Sequence, residues 1–547
     1  MGSQLTKNYD ISKEPIAFAG PNKIWKIHSA TKKGKIRSQV SIFILEKKFL
    51  EKESRQIKEE LLSQLRKEAQ SLAKLKHPGI LFLVEPLLED TKLMAFVTEP
   101  IETSLISLIE NNPSSTHLSL IPSEIELKSH ILQLTETIHF IHDTAKIIHL
   151  AISPSNLYLT NAGNFKIAGF LFSQQAFSDQ VNAALNHTPY ANNFNMLPEL
   201  NFTAPEVTIE GVCSVKSDLF SIGCLIYTMY MLSQNASSRS IYYLDLNQAE
   251  RVAKHIEACK KLQAPGRGNK LSMIPTNIAN LLEKLLKFNP DERGSLLEIR
   301  KHSYFEDPLI KTINYLEHLE EKEHHHKVQF LGGLSKVLHQ FDSKILVKKI
   351  IPVLMKSLQN EKLSCHILPS LTQVLERENI LSKNDFQTKV WPLFSKMCKG
   401  REIPAQSLYI IINNTETFVR VIHIQDFQST VLPLYQKALE CGVAKIQEIC
   451  LKKIPCFARK IEYVTLKSAI IPRVLHLMET TNYAHVRIQC LECLTQFYSF
   501  LDTATVKNSI LTSFEKIKKI ESDCKFCIML LKMIEGRVVC MNLSFHS

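Results

Sequence analysis

Between Ile16 and Glu99 short aliphatic and β-branched runs alternate with turn residues, as in Val40–Leu45 (VSIFIL) and Met94–Glu99 (MAFVTE), the pattern of strands. One long charged stretch, Glu51–Lys76, interrupts them with helical spacing. From Leu105 to about Phe305 helical periodicity dominates, with short strand-like pieces at Asn156–Leu159 and Phe165–Ile167. A small β-rich lobe followed by a larger helical lobe predicts an α+β arrangement. The most apolar run, Leu219–Leu232, has 14 residues and contains Ser221 and Thr228. It is shorter than the ~18–20 residues that span a bilayer and predicts a buried core helix. Residues 1–13 are a short polar lead, and 182–203 are Asn-rich and charge-poor, reading as a surface loop. A connector over 308–330 contains the acidic, His-rich Glu317–Lys327 (EHLEEKEHHHK).

Beyond residue 330 the chain repeats itself. Lys348–Leu358, Thr388–Met397, Ser429–Leu439, Ser468–Met478 and Asn508–Ile517 share one pattern, with prolines at 352, 392, 433 and 472 and Thr512 in the fifth equivalent place. The steps are 40, 41, 39 and 40 residues. A period near 40 with helical patterning predicts an all-α solenoid of HEAT-like helix pairs over 331–547. The proline has a place at a helix start or as a kink that re-aims it.

A chain of 547 residues exceeds what one core holds, since cores stop growing at about 250–300 residues. Glycine is scarce, 16 in all, which argues for helix and against a glycine-rich phosphate cradle. The net charge of +12 is uneven: 34 Lys+Arg against 32 Asp+Glu up to residue 310 give +2, and 32 against 22 beyond it give +10. The thirteen cysteines are scattered and the first residues lack an apolar core, so a cytoplasmic protein with reduced thiols is expected.

The first half carries landmarks in the order of the protein-kinase fold. Glu68 lies nine residues before His77-Pro78, like the glutamate of the regulatory helix. Ile147–Leu159 (IIHLAISPSNLYL) resembles the catalytic loop, with His149 and Asn156 in register. Lys166–Leu171 (KIAGFL) stands where the metal-binding Asp-Phe-Gly belongs, Ala204–Glu206 is an intact APE, and Ser217–Gly223 matches the start of the large central helix. Arg293 matches the arginine that pairs with the APE glutamate, here Glu206. The resemblance covers about residues 14–307 and implies a bilobal protein-kinase-like domain.

Phosphoryl transfer needs a cation on the phosphates, a carboxylate on Mg²⁺ and a carboxylate toward the substrate hydroxyl. Phe43 stands at the lysine position, Gly169 at the metal-binding aspartate and Ala151 at the catalytic aspartate, with Leu150 replacing the arginine before it. Of three phosphate-loop glycines near Ala17–Trp25 only Gly20 remains. Each such loss commonly costs 10²–10³-fold, and Asn156 alone cannot replace a carboxylate pair. An inactive domain is therefore expected, with no cofactor and no metal, leaving an uncharged pocket. Lys47 or Lys48 would reach the lysine position only in another strand register. Glu206, Arg293 and Asp218 are expected to hold the fold, Asp218 by capping the central helix and bonding the catalytic-loop backbone. Glu68, without its lysine, is expected to be solvated or re-paired.

A kinase-like lobe pair fused to HEAT-like repeats resembles the SCY-like pseudokinases. Trp25–Lys48, Lys166–Phe172 and Gln329–Leu354 look like the coated-vesicle-associated kinase type. The resemblance implies an adaptor in vesicle trafficking, peripheral to trans-Golgi and endosomal membranes, whose partners are clathrin or its adaptor proteins. Members of that type carry a long C-terminal tail with clathrin-binding motifs, whereas this sequence stops at Ser547; direct clathrin binding is therefore not expected of it. Its +10 half favours acidic partners or an anionic membrane surface. Relatives linked to tRNA export make RNA a rival partner. The sequence lacks the aromatic–basic interleaving that reads bases, and RNA ranks below trafficking. A weak kinase that still binds ATP is the other rival.

Smaller signals remain. MGSQLT fits an acylation pattern at Gly2. Cys490–Cys493 and Cys524–Cys527 form two C-x-x-C pairs, but at helical spacing they read as core thiols rather than a zinc site. His324–His326 read as solvated, and Thr188, Tyr190 and Thr203 as acceptors for another kinase.

Overall fold

A computed structural model of the full chain describes residues 3–516 apart from 35–36, 52–53, 111–119, 177–180, 183–197, 235–250, 264–270, 272–273, 378–379, 401–402, 498–500, 503–504 and 514–515. Gly2, Thr188, Tyr190 and the Cys524–Cys527 pair lie outside the described residues. The chain divides into two compact units, Met1–Asn314 and Tyr315–Ser547.

In the first unit helix α1 (Ser3–Asn8) leads into strands β1 (Tyr9–Ile11), β2 (Ala17–Ala19), β3 (Trp25–Lys32) and β4 (Gln39–Glu46). Helix α2 (Arg55–Lys74) follows, then β5 (Leu83–Glu89) and β6 (Leu93–Thr98). The sheet order is β1-β3-β4-β6-β5, with β2 also paired to β3. Strand β4 is buried on both faces because each face has its own cover. Phe43 and Leu45 join Leu61, Leu65 and Leu72 of α2 in the main core. Val40, Ile42 and Ile44 pack on the other side with Leu5 and Tyr9. The polar lead expected at 1–13 is thus corrected: from residue 3 it is a helix and an edge strand. Its apolar side chains Leu5, Tyr9 and Ile11 cover a sheet face that would otherwise be wet.

The helical lobe begins with β7 (Ile101–Ser104) and α3 (Leu105–Glu110). Helix α4 (Glu124–His139) starts at a capping box between Ser123 and Glu126. Then come β8 (Ile147–Ile148), β9 (Leu157–Thr160), β10 (Phe165–Ile167), α5 (Pro205–Ile209) and α6 (Val215–Ser233). Helix α6 is buried from Ser217 to Leu232, all round, as the centre of a lobe requires.

Every secondary-structure element among the second unit's described residues is a helix. The segment expected as a connector is largely helix, Pro308–Glu317 and His324–Leu334, with Ile310, Ile313, Leu316 and Leu319 buried. Ahead of each repeat proline the helix widens into a π turn, at Leu346–Ile350, Phe386–Val390, Phe427–Val431 and Leu466–Ile470. Proline has no N–H to give and its ring crowds the carbonyl one turn back. A widened turn accommodates both without ending the helix. The fifth repeat, with Thr512 in the proline's place, keeps the wide turn at Val506–Leu511.

Candidate functional site

Four buried aromatic rings pack together where the strands of the small lobe meet β9. In β4, Phe43 lies opposite Ile27 of β3 and Phe96 of β6. Its ring stacks on Phe96 at 4.6 Å and meets Tyr158 of β9 edge-on at 5.5 Å, while Trp25 sets its edge on Phe96 at 5.0 Å. None of the four rings is more than 3% exposed. Burying one such ring is worth roughly 2–3 kcal/mol, so displacing all four would cost ~8–12 kcal/mol. A micromolar ligand binds with only ~8 kcal/mol. Lys47 and Lys48 offer no replacement cation: both follow the end of β4, Lys47 paired with Glu89 at 2.7 Å and Lys48 with Glu46 at 2.5 Å.

Glu68 of α2 is buried, not solvated. Burial pushes its carboxyl up to about 7, against a smaller opposing pull from the Trp25 indole N–H. That N–H stops short of a well-formed hydrogen bond.

The phosphate-covering loop is drawn onto the helical lobe. Gly20 (φ +70°) and Lys23 (φ +58°) both take left-handed backbone, which glycine adopts freely and lysine does not. The Gly20 N–H donates to the Ser155 carbonyl at 3.2 Å. The Phe18 N–H donates to Ser107 Oγ at 3.3 Å, and Ser104 Oγ donates to the Phe18 carbonyl at 2.8 Å. Lys23 pairs with Glu110 at 2.5 Å.

In the loop read as catalytic, the buried acid Asp218 serves the architecture. Asp218 accepts the His149 and Leu150 N–H groups at 2.7 and 2.8 Å and bonds His142 Nε2 at 2.8 Å. Burial alone would raise its carboxyl, but His142, His149 and these bonds hold it below its ordinary value. The bonds also hold Leu150 at φ +60°. Asp218 does not cap α6: Ser214 does, in a capping box with Ser217, because the aspartate lies in the helix's first turn, past the cap position. His149 is fully buried, and that burial pushes its imidazole down to about 4; it rests against Phe170 with ring centroids 4.8 Å apart.

Ala151 has only backbone groups to offer: its carbonyl accepts Asn156 Nδ2 at 2.9 Å and its N–H donates to His149 Nδ1 at 3.2 Å. Asn156 also fills the space beside Gly169, where a Cβ would lie 2.1 Å from its Cγ and 2.2 Å from its Oδ1. No side chain fits at 169 while Asn156 stands there.

Glu206 and Arg293 lie together in the helical lobe. Two guanidinium N–H groups meet the two carboxylate oxygens at 2.7 Å each, and Ser217 Oγ adds a third bond at 2.7 Å. Arg293 also donates to the carbonyls of Lys216, Lys287 and Phe288.

Trp25, Phe96, Tyr158, Ser155 and Glu199 were not singled out in the sequence. Tyr158 sits two residues beyond Asn156 and Trp25 five beyond Gly20, and those offsets were the available signal. Thr203, expected as a phosphate acceptor, is 5% exposed and donates its hydroxyl to the Glu199 carbonyl at 3.0 Å, so it is out of reach of another enzyme in this state. Cys490 and Cys493 are buried and their thiols are pushed up by burial. His325 and His326 are exposed beside Glu323, with ligand atoms within 4.8 Å of one another.

A protein kinase domain model matches residues 31–305, half of the chain. The chain belongs to the protein kinase domain family, and within it to the SCY1-like proteins. It is 28% identical to SCY1-like protein 2 of Mus musculus over 95% of this chain and 56% of that protein. It is 27% identical to protein kinase domain-containing protein ppk32 of Schizosaccharomyces pombe, over 98% of this chain and 72% of the relative. A third relative, from Dictyostelium discoideum, is a probable inactive serine/threonine-protein kinase scy1, 21% identical over 95% of this chain and 57% of that protein. The chain spans little more than half the length of the mouse and Dictyostelium relatives.

Proposed function

We propose that the chain is a catalytically inactive, kinase-shaped scaffold serving vesicle trafficking, cytoplasmic and peripheral to trans-Golgi and endosomal membranes. The observation that supports inactivity is the aromatic cluster of Trp25, Phe43, Phe96 and Tyr158 in the place a nucleotide would need. Phe43, Ala151 and Gly169 add that no cation or carboxylate stands at the phosphoryl-transfer positions. The helical repeats then supply the extended partner surface, and coated-vesicle proteins are the partners the family resemblance suggests. Proximity labelling in cells, with a melting curve in Mg-ATP beside it, tests both halves. Labelling of Golgi and endosomal coat proteins and an unchanged melting temperature are expected. Labelling confined to other compartments overturns the trafficking assignment, and an EDTA-sensitive rise of several degrees overturns the inactivity.

A further inference from the structure

Each helical repeat presents one basic residue at the same place. Lys356, Lys396, Lys437 and His476 each stand four residues after a repeat proline, and Lys516 stands four after Thr512. All five are exposed, and so are Pro352, Pro392 and Pro472 one turn earlier. The helices Ile351–Ser357, Trp391–Cys398, Leu432–Glu440 and Ile471–Thr480, with the wide turns ahead of them, pack side by side in sequence order. The last of them borders a groove of about 380 Å³ toward the fifth repeat, lined by His476, Lys516, Ser509 and Thr512 among others. The basic groups therefore run in single file across the repeats.

Among the described residues Lys396 and Lys437 have no ion-pair partner. Lys356 pairs with Glu320 at 2.7 Å and Lys516 with Glu479 at 3.4 Å, yet both lysine side chains stay more than half exposed, so an arriving carboxylate can compete for them. Acidic residues border the file: Glu440, paired with Arg473, and Glu479 stand three residues beyond Lys437 and His476. They would repel a broad anionic plane such as a lipid surface, but they leave a line free for a thread. No position of the file carries an aromatic ring of the kind on which the bases of single-stranded RNA stack. Helices packed side by side lie about 8–10 Å apart, which sets the step from one basic group to the next. A polyproline II chain turns the same face outward every three residues, about 9 Å. Acidic side chains at that spacing meet one basic group each.

We propose that this file is a docking track for an extended acidic protein segment that carries a carboxylate at about every third residue. The exposed proline rings give such a segment apolar contact between the charges. The assignment deepens the scaffold reading, from which it takes only that the repeats are the partner surface; it names the face and the chemistry of the partner.

Binding of a labelled peptide of five Glu-Pro-Pro units to the full chain, at about 0.15 M salt, tests it. The peptide should bind, and its Gln-Pro-Pro counterpart should not. Lys396→Glu combined with Lys437→Glu is expected to weaken binding at least tenfold. Lys362→Glu combined with Lys460→Glu, the same change of charge at exposed positions outside the file, should stay within about threefold of wild type. All four side chains are exposed, and a melting curve matching wild type shows that each variant folds. Absence of peptide binding overturns the proposal, as does an equal loss in the two double variants. Tighter binding of phosphatidylserine vesicles or of single-stranded RNA than of the peptide, lost in Lys396→Glu/Lys437→Glu, also overturns it by assigning the file to another partner. Proximity labelling reports separately on the trafficking assignment, so the track and the scaffold reading can fail independently.

Discussion

Arg293 grips Glu206 through two parallel bonds of 2.7 Å across 87 residues of sequence, and both side chains are almost wholly buried. The pair ties the start of α5 to the turn at Pro290–Arg293, and the Ser217 hydroxyl draws α6 into the same knot. Removing one partner leaves the other as an uncompensated buried charge, which typically costs about 3–5 kcal/mol. Arg293→Met and Glu206→Leu are each expected to lower stability by that amount in urea denaturation. The double variant should recover part of the loss, and two single variants near wild type would show the pair to be ornamental.

Restoring the missing chemistry is expected to fail on steric grounds. Gly169→Asp must place a Cβ about 2 Å from Asn156, and Ala151→Asp and Phe43→Lys leave Trp25 and Tyr158 in the cleft. The triple variant should show no Mg-ATP-dependent rise in melting temperature. A rise abolished by EDTA would mean that the rings move aside at far less cost than their burial implies.

Glu68 makes stability depend on pH in a definite direction. Its carboxyl is raised from an ordinary 4.5 to about 7 by burial, so the folded state binds the proton more tightly than the unfolded chain. The resulting stabilisation is fully present below pH 4.5 and is lost as pH climbs to about 7. A shift of this size corresponds to ~3 kcal/mol. Glu68→Gln, neutral throughout, should be more stable than wild type by about that much at pH 8 and nearly equal to it at pH 4.5. Parallel denaturation curves across this range would show that the carboxylate finds a partner.

The repeat prolines should be dispensable for the wide turns. Val506–Leu511 forms one without proline, so Pro392→Ala or Pro433→Ala is expected to shift stability by less than about 1 kcal/mol in urea. A loss of several kcal/mol would make the ring itself the cause of the geometry.

Much of this fold was legible because period and spacing survive without chemistry. The 40-residue step needs only the prolines and their flanks, and the kinase-like unit shows through His149, Ala204–Glu206 and Arg293. Three things were hidden. Leu5, Tyr9 and Ile11 are too few apolar residues to announce an element, and only the face of β4 that they cover explains them. Glu199 has no motif around it, so its docking on Ser153 depends on a chain reversal that the sequence does not spell out. The absence of a lysine at Phe43 was plain, but that Trp25, Phe96 and Tyr158 would close over the vacated place is a matter of packing between strands far apart in sequence.

With Leu5 at 3% exposure and Tyr9 at 1%, the opening turn of the chain is welded into the small lobe. A label carried on the exposed Lys7 of that turn would therefore travel with the small lobe as a stiff handle, where a loose leash would let it wander.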